Sequence, residues 1–434
     1  MTRFRYLKGV DWVITGLDHS LRQTAGLGNW SQLVLELDGE PDFDPFVDAV
    51  QRYASAFPVL QGRAVRGWQM APAWKIPRRT RPIRVHVAKH ILPPETPFDV
   101  IIKQLGQCVA VQSGTPGRYI GFNLIYTTTK TYLAFRFDHR LFDARGAELF
   151  VQGLIHFLNT GEPPTHTDVP PQKPELSPWV EKFKSGQQIV RMLHKQRSET
   201  APFNFTPKEE TNFSFRFSVI PLNKAQSDQL LERAYQEAGY LMLTPWLADR
   251  MTTALDKLKP ASGREMNGYM IPCSADLRVG PDPQLFFNHV AFICLSRKAG
   301  PPQTGNWAQQ FSKQFVKQVK MDMPRHFENA WKLSGIVPAP LFGRLLRKEL
   351  NEFAGTFSMA SVGDGLSDME PVAGCSVKNC FHMPMVPPAP GLGFFANSFQ
   401  GRMNLCLTSS TQVLSDDEHA RLSELLRFDF LSQS

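Results

Sequence analysis

Between Gly161 and Pro178 the chain carries six prolines, at positions 163, 164, 170, 171, 174 and 178. Each proline locks φ, lacks an N–H donor and disfavours helix at the residue before it. No helix or strand is expected to run through such a stretch, so the 434-residue chain reads as two units joined by an extended crossover. The expected division is an N-terminal lobe at 1–165, a Pro-rich linker at 166–205 and a C-terminal lobe at 206–434. Each lobe is near the usual domain length of ~100–200 residues.

Both lobes mix strands and helices. Leu33, Leu35 and Leu37 alternate along Ser31 to Asp38, the period of a half-buried strand. Asp44 is placed as an N-cap with Pro45 at the first helical position, followed by Phe46, Ala49, Val50, Tyr53 and Phe57 at helical spacing. Tyr119 to Thr127 and Thr131 to Asp138 read as a hairpin closed by Thr128-Thr129-Lys130. Ala147, Phe150, Val151, Leu154 and Leu158 stripe one face of a helix from Ala144 to Leu158. In the second lobe, Leu247, Met251, Ala254, Leu255 and Leu258 mark a helix, and His289 to Leu295 reads as a strand. A second hairpin turns at Gln400-Gly401, and Ser415 with Glu418 forms a capping box for the last helix. The fold class is therefore α+β.

Composition narrows the function classes. With 42% hydrophobic residues and 32 Phe there is ample apolar surface for a packed core, and disorder, collagen and coiled coil are excluded. No apolar run is long enough to span a bilayer, and no signal peptide is seen, so a cytoplasmic protein is expected. Six scattered cysteines without a CxxC pair fit reduced, buried thiols, and no metal site is expected. His86 and His90 lie on an alternating strand pattern rather than on a helix that would pair them. A net charge of +8 is mild, and no P-loop, GxGxxG or RNP-type segment accompanies it, so no nucleic-acid partner is expected. The densest basic run is Arg78-Arg79-Thr80-Arg81-Pro82-Ile83-Arg84, flanked by Lys75 and Lys89. It reads as a solvated loop or as a landing surface for an anionic partner.

One segment carries chemistry: Asp138-His139-Arg140-Leu141-Phe142-Asp143 holds the only His-x-x-x-Asp in the chain. It sits where a strand ends and an amphipathic helix begins. Leu133, Phe135 and Phe137 share one strand face, and counting by two places His139 on the same side. Imidazole titrates near pH ~6.5, which suits proton removal from a hydroxyl, amine or thiol at neutral pH. Asp143, past the turn, is better placed to anchor the loop through a buried ion pair than to relay protons. The competing reading of His139 is a core histidine satisfied by backbone groups.

Asp138-His139-Arg140-Leu141-Phe142-Asp143 resembles the His-x-x-x-Asp signature of the chloramphenicol acetyltransferase-like superfamily of acyltransferases, which includes condensation domains, wax ester synthases and alcohol acyltransferases. Position 144 is Ala where that signature usually has Gly. Leu33 to Asp38, the helix near Asp44, and Phe57-Pro58-Val59-Leu60-Gln61-Gly62-Arg63 resemble the family's opening elements. Ile271 to Arg278 with Phe287-Asn288 resembles its arginine and Gly-Asn stretch, and Thr356 to Asp364 its tunnel-lining segment. The plant-type Asp-Phe-Gly-Trp-Gly box is absent. The resemblance implies two similar lobes arranged as a V with a tunnel beside His139. It implies His139 as general base, Arg278 as the partner of Asp143, Asn288 as structural support, and Ser358 or Ser361 as oxyanion donor or tunnel lining.

The implied activity is transfer of an acyl group from a thioester to a hydroxyl or amine of a small-molecule acceptor. Acyl-CoA is the favoured co-substrate, with no tightly bound cofactor, and a monomer is expected. A stand-alone condensation enzyme that takes its donor from an acyl-carrier protein is the second reading. A catalytically inactive binding module with the same fold is the third; Ala144 and the missing first histidine speak for it, the intact His139–Asp143 pair against it.

Overall fold

The structure is a computed structural model. It describes residues 3–67, 70–78, 81–109, 119–165, 167, 169, 178–203, 213–258, 266–278, 284–302, 305–353 and 355–431, with the backbone alone at 347–353.

The described residues form three sheets, and two of them organise the chain; the third is small, with Arg3–Tyr6, Pro72–Ile76 and Arg63–Arg66 in that order. The first has five strands in the order Ser376–Pro384, Trp30–Asp38, Lys130–Asp138, Ile120–Tyr126 and His86–Ile91, antiparallel except for the last pair. Register aligns Leu33 with Phe135 and Phe135 with Phe122. That face packs on the helices Phe43–Ser55 and Ala144–Thr160, burying Phe46, Val50, Tyr53, Phe150, Val151 and Leu154. Phe135 and Phe150 stack at 5.2 Å between centroids. Fully burying each such ring contributes ~1.5–3 kcal/mol, so this face anchors the strand that ends at the motif.

The opposite face, with Val34, Tyr132, Ala134 and Phe381, packs on the helix Phe98–Val109. The same cluster includes Val219 and Cys406 of the second sheet, so this helix is an apolar link between the sheets. The second sheet has the order Val290–Lys298, Gly268–Asp276, Ser358–Asp364, Leu392–Phe399, Arg402–Ser410 and Phe215–Pro221. Its covered face meets the helices Lys224–Ala238, Leu243–Leu258 and Asp416–Leu431 around Trp246, Met251, Leu255 and Leu422.

Both anticipated hairpins are present. At the second, Gln400 (φ 49°) and Gly401 (φ 72°) are both left-handed, as a two-residue turn between twisted strands requires. Ser415 and Glu418 exchange the two bonds of the capping box. The N-cap expected at Asp44 is at Asp42 instead. The first four N–H groups of a helix have no intrahelical acceptor, so Pro45 is tolerated one turn in without losing a bond.

Of the crossover expected at 166–205, residues 166, 168, 170–177 and 204–205 lie outside the described residues. The described part is chiefly a 22-residue helix, Trp179–Thr200. A further helix, Gly9–Thr24, precedes the first long strand. No helix among the described residues is long and apolar enough to cross a membrane.

Candidate active site

The strand Lys130–Asp138 delivers His139 into a tight turn. Leu141 and Phe142 donate their N–H groups to Asp138 O at 3.0 and 3.3 Å, closing it. His139 is half-buried. Its own N–H donates to Asn29 O at 2.9 Å, and its carbonyl accepts from Asn288 Nδ2 at 2.9 Å. The ring Nδ1 is buried and has no hydrogen-bond partner among the described residues. A half-buried imidazole on a fixed backbone can exchange a proton with a bound molecule through its solvent-facing side.

Asp143 caps the helix that follows. Its Oδ1 accepts from Gly146 N–H at 2.9 Å and from Arg278 Nη2 at 2.6 Å, and its Oδ2 accepts from His289 N–H at 3.0 Å. Burial pushes this carboxyl up, but the Arg278 guanidinium and the two backbone donors outweigh that and hold it below the usual carboxylate range. Asp143 thus stays charged with its oxygens spent on structure. Arg278 also meets Asp276 and donates to Gln284 O at 3.1 Å.

The segment around Asn288 docks on the motif. Phe287 N–H donates to Leu141 O at 2.6 Å, and Phe142 and Phe287 form a parallel bridge. Phe287 holds φ at 72°, a left-handed conformation costly for a bulky residue. Arg5 stacks over its ring at 3.8 Å. Ala144, the departure from the usual glycine, is the first residue of a regular helix, where a methyl group fits. The close approach falls at Gly146 instead: a Cβ there would lie 2.2 Å from Leu285 O.

The structure thus brings together His139, Asp143, Arg278 and Asn288. Ser358 and Ser361 lie half-buried on a second-sheet strand, opposite Gly393 and Ala396. Among the described residues no hydrogen bond joins either to the His139 turn. Arg78, Arg81 and Arg84 of the basic run are exposed, while Arg79 and Thr80 lie outside the described residues. A cavity of about 740 Å³ lined by Thr200, Arg297, Trp307 and Lys313 includes none of the motif residues.

Sequence reasoning missed Lys8, Asp11, Asp18 and His289. Asp11 accepts from Asn288 N–H and Nδ2 at 2.9 and 3.3 Å. Asp18 pairs with Arg140 at 3.1 Å, and Arg140 is also forked onto Asp138. The Lys8 ammonium donates to His289 Nδ1 at 3.1 Å. Burial, then the Lys8 charge, push the His289 imidazole down to about 4, so it is neutral at physiological pH. The signal for the two acids was their spacing: Asp11, Thr15 and Asp18 form one helical stripe.

No family model matches the sequence, and no curated protein matches it. Solved structures do match over almost the whole chain. The trichothecene 15-O-acetyltransferase TRI3 from Fusarium sporotrichioides is 13% identical with a TM-score of 0.70, covering 99% of this chain and 95% of that one. The condensation domain of the Monacolin K polyketide synthase MokA is 11% identical with a TM-score of 0.59, covering 99% and 98%. Polyketide synthase associated protein 5 from Mycobacterium tuberculosis is 13% identical with a TM-score of 0.59, covering 98% and 97%. Over nearly its whole length the chain has the fold that this acetyltransferase and this condensation domain share.

Proposed function

We propose that this chain is an acyltransferase that moves an acyl group from a thioester to a hydroxyl or amine of a small-molecule acceptor, with His139 as general base. One observation carries the reading: half-buried His139 has both backbone groups tied in its turn, while the neighbouring Asp143 is occupied by Arg278 and two N–H groups and leaves the imidazole as the group that can titrate. That division suits a base that works alone in a rigid turn. The fold shared with an acetyltransferase and with condensation domains supports the same chemistry.

In this reading His139 removes the acceptor's proton as its oxygen or nitrogen attacks the thioester carbonyl. A tetrahedral oxyanion forms, collapses and breaks the carbon–sulfur bond. The imidazolium returns the proton to the departing thiolate, so the histidine ends as it began. The oxyanion needs a donor, and removal of a comparable one costs ~2.7–4 kcal/mol of barrier. We assign it to the Ser358–Gly363 segment, with Ser358 and Ser361 as the candidate hydroxyls. No tightly bound cofactor is required; the thioester is a co-substrate, acyl-CoA in the favoured version. The condensation domains among the similar structures support a second version, in which a carrier protein presents the donor.

Thiol release from a panel of acyl-CoAs, with hydroxyl and amine acceptors, tests this. Wild type should release thiol in an acceptor-dependent way, and His139→Ala should be slower by roughly 10²–10⁴-fold. A folded His139→Ala protein with wild-type turnover would sink the assignment. Absence of turnover with every free and carrier-bound thioester would favour a binding module.

A further inference from the structure

The helix Gly9–Thr24 holds two buried carboxylates, Asp11 and Asp18, exposed by 1% and 0%. Seven residues place them two turns apart, ~10.5 Å along one face. Buried carboxylates are tolerated only where hydrogen bonds and charge replace water, so what they bond to shows what they hold.

Asp18 Oδ1 accepts from Asn29 N–H at 3.0 Å, and Asn29 O accepts from His139 N–H at 2.9 Å. Its Oδ2 takes Arg22 Nε at 2.8 Å and Arg140 Nη1 at 3.1 Å. Asp11 Oδ1 accepts from Asn288 N–H and Nδ2, and the same Nδ2 donates to His139 O at 2.9 Å. Its Oδ2 takes Lys8 N–H at 3.0 Å, closing the helix's first turn. The two backbone polar groups of His139 therefore lead, through one residue each, to two carboxylates on a single helix.

That helix has no slack on its other side. A Cβ on Gly16 would fall 2.7 Å from Phe342 and 2.8 Å from Leu346, and one on Gly343 would fall 2.7 Å from Gly16 O. At Gly9 the added carbon would meet the Trp331–Lys332 backbone at 2.6 Å. The glycines let backbones touch, so the helix is clamped between the motif and the helices Met323–Trp331 and Ala339–Phe353.

We propose that Asp11 and Asp18 are positioning residues for His139, fixing the imidazole from both ends of its peptide through Asn288 and Asn29. This rests on the reading of His139 as the base, because a misplacement of ~1 Å at a reacting group costs ~10²-fold in rate.

The test compares Asp11→Ala, Asp18→Ala, Asn288→Ala and Asp11→Asn. One readout is the ¹³C–¹H ring spectrum of histidine-labelled full-length protein, with His139 assigned by its absence in His139→Ala. The other is thiol release from acyl-CoA. Asn288→Ala cuts the link to His139 O while leaving the Asn288 N–H on Asp11. Asp11→Asn keeps an oxygen toward Asn288 and loses the acceptor for Lys8 N–H. We expect Asp11→Ala and Asn288→Ala to shift the His139 signal alike, with no further shift in the double variant. Asp18→Ala should shift it as well, and Asp11→Asn should leave it in place at a lower melting temperature. In turnover, the three alanine variants should lose roughly 10–10²-fold in kcat with KM within about threefold.

A merely structural role would lower melting temperatures and leave the His139 signal of the folded protein unmoved; that result overturns the proposal. If an aspartate variant does not fold, Asn288→Ala decides alone, since an unmoved signal there removes the Asp11 arm. If wild type turns over no acyl-CoA, the acyltransferase reading fails while the ring spectrum still decides the positioning.

Discussion

Arg278 and Asp143 lie 135 residues apart in sequence and share a hydrogen bond of 2.6 Å beneath the turn that presents His139. The pair is largely buried, with side chains exposed by 14% and 4%. The Asp143 carboxylate therefore depends on Arg278 for compensation, Arg278 also meets the exposed Asp276, and a hydrogen bond joins the segment after the second sheet's Gly268–Asp276 strand to the start of the motif helix.

Asp143→Ala should cost at most ~3–5 kcal/mol of stability, because Arg278 loses its buried partner and keeps only the exposed Asp276 carboxylate at 3.2 Å. Loss of the N-cap bond to Gly146 adds to this. Urea denaturation measures it. Removing both charges, as in Asp143→Ala with Arg278→Met, should recover part of the loss. A single variant within about 1 kcal/mol of wild type would mean that the pair is not coupled.

Glycine is needed in this motif helix at 146 rather than at 144. Gly146→Ala drives a methyl group into Leu285 O, 2.2 Å away, and should destabilise by ~1–3 kcal/mol. Ala144→Gly, which restores the usual signature, should cost no more than ~1 kcal/mol through helix propensity. Thermal melts of the two variants check the order. A larger loss at 144 than at 146 would refute this account of the departure.

Acid should weaken the site in two steps. The folded His289 sits at about 4, below the ordinary histidine value of 6.5, so its neutral form is the native one. The unfolded chain binds that proton first, and the stability His289 contributes is present above pH ~6.5 and lost as pH falls toward about 4. Asp143 is likewise held low, so its contribution is present above the usual carboxylate value and lost as pH falls below it. His419, pushed down to about 4 by burial, acts in the first window too. His289→Asn should flatten part of the decline between pH 6.5 and 4 in a denaturant series. An unchanged slope there would exclude His289 as a source.

How much was legible follows from what was local. Strands with Leu33, Leu35 and Leu37 or Leu133, Phe135 and Phe137 advertise a buried face by period two, and their hairpins by turn residues next in the chain. The strand Ser376–Pro384 was not placed, because its partner, Trp30–Asp38, is more than 330 residues away. The helix Trp179–Thr200 buries only Ser185, Ile189 and Thr200, so no apolar stripe marks it. The helix Gly9–Thr24 fails for a different reason: part of its buried face is Asp11, Thr15 and Asp18, and buried acids read as a solvated surface until their partners are known. His139 and Asp143 stood out by their place at a strand end and turn, whereas the long-range contacts of Arg278 with Asp143 and of Asn288 with His139 came from a resemblance, because spacing cannot supply them.

The exposed arginines 78, 81 and 84 separate the two donors. A free acyl-CoA needs a few cations near its phosphates at one mouth of the site, whereas an acyl-carrier protein needs a broader basic surface to steer an acidic helix. Reversing Arg78, Arg81 and Arg84 to Glu together should leave the fold intact, since none is buried. If these charges serve only as a solvated surface around the loop, turnover with acyl-CoA stays within about twofold at every salt concentration. Screening at 0.15 M has a length of ~8 Å, so a carrier-docking role would appear as an association rate that falls steeply with salt in wild type and is slow and salt-insensitive in the variant. A raised KM for acyl-CoA with unchanged kcat would instead place the nucleotide beside this run. The free-coenzyme version expects the first or third result, and lost activity confined to carrier-bound donors would replace it with the condensation-type reading.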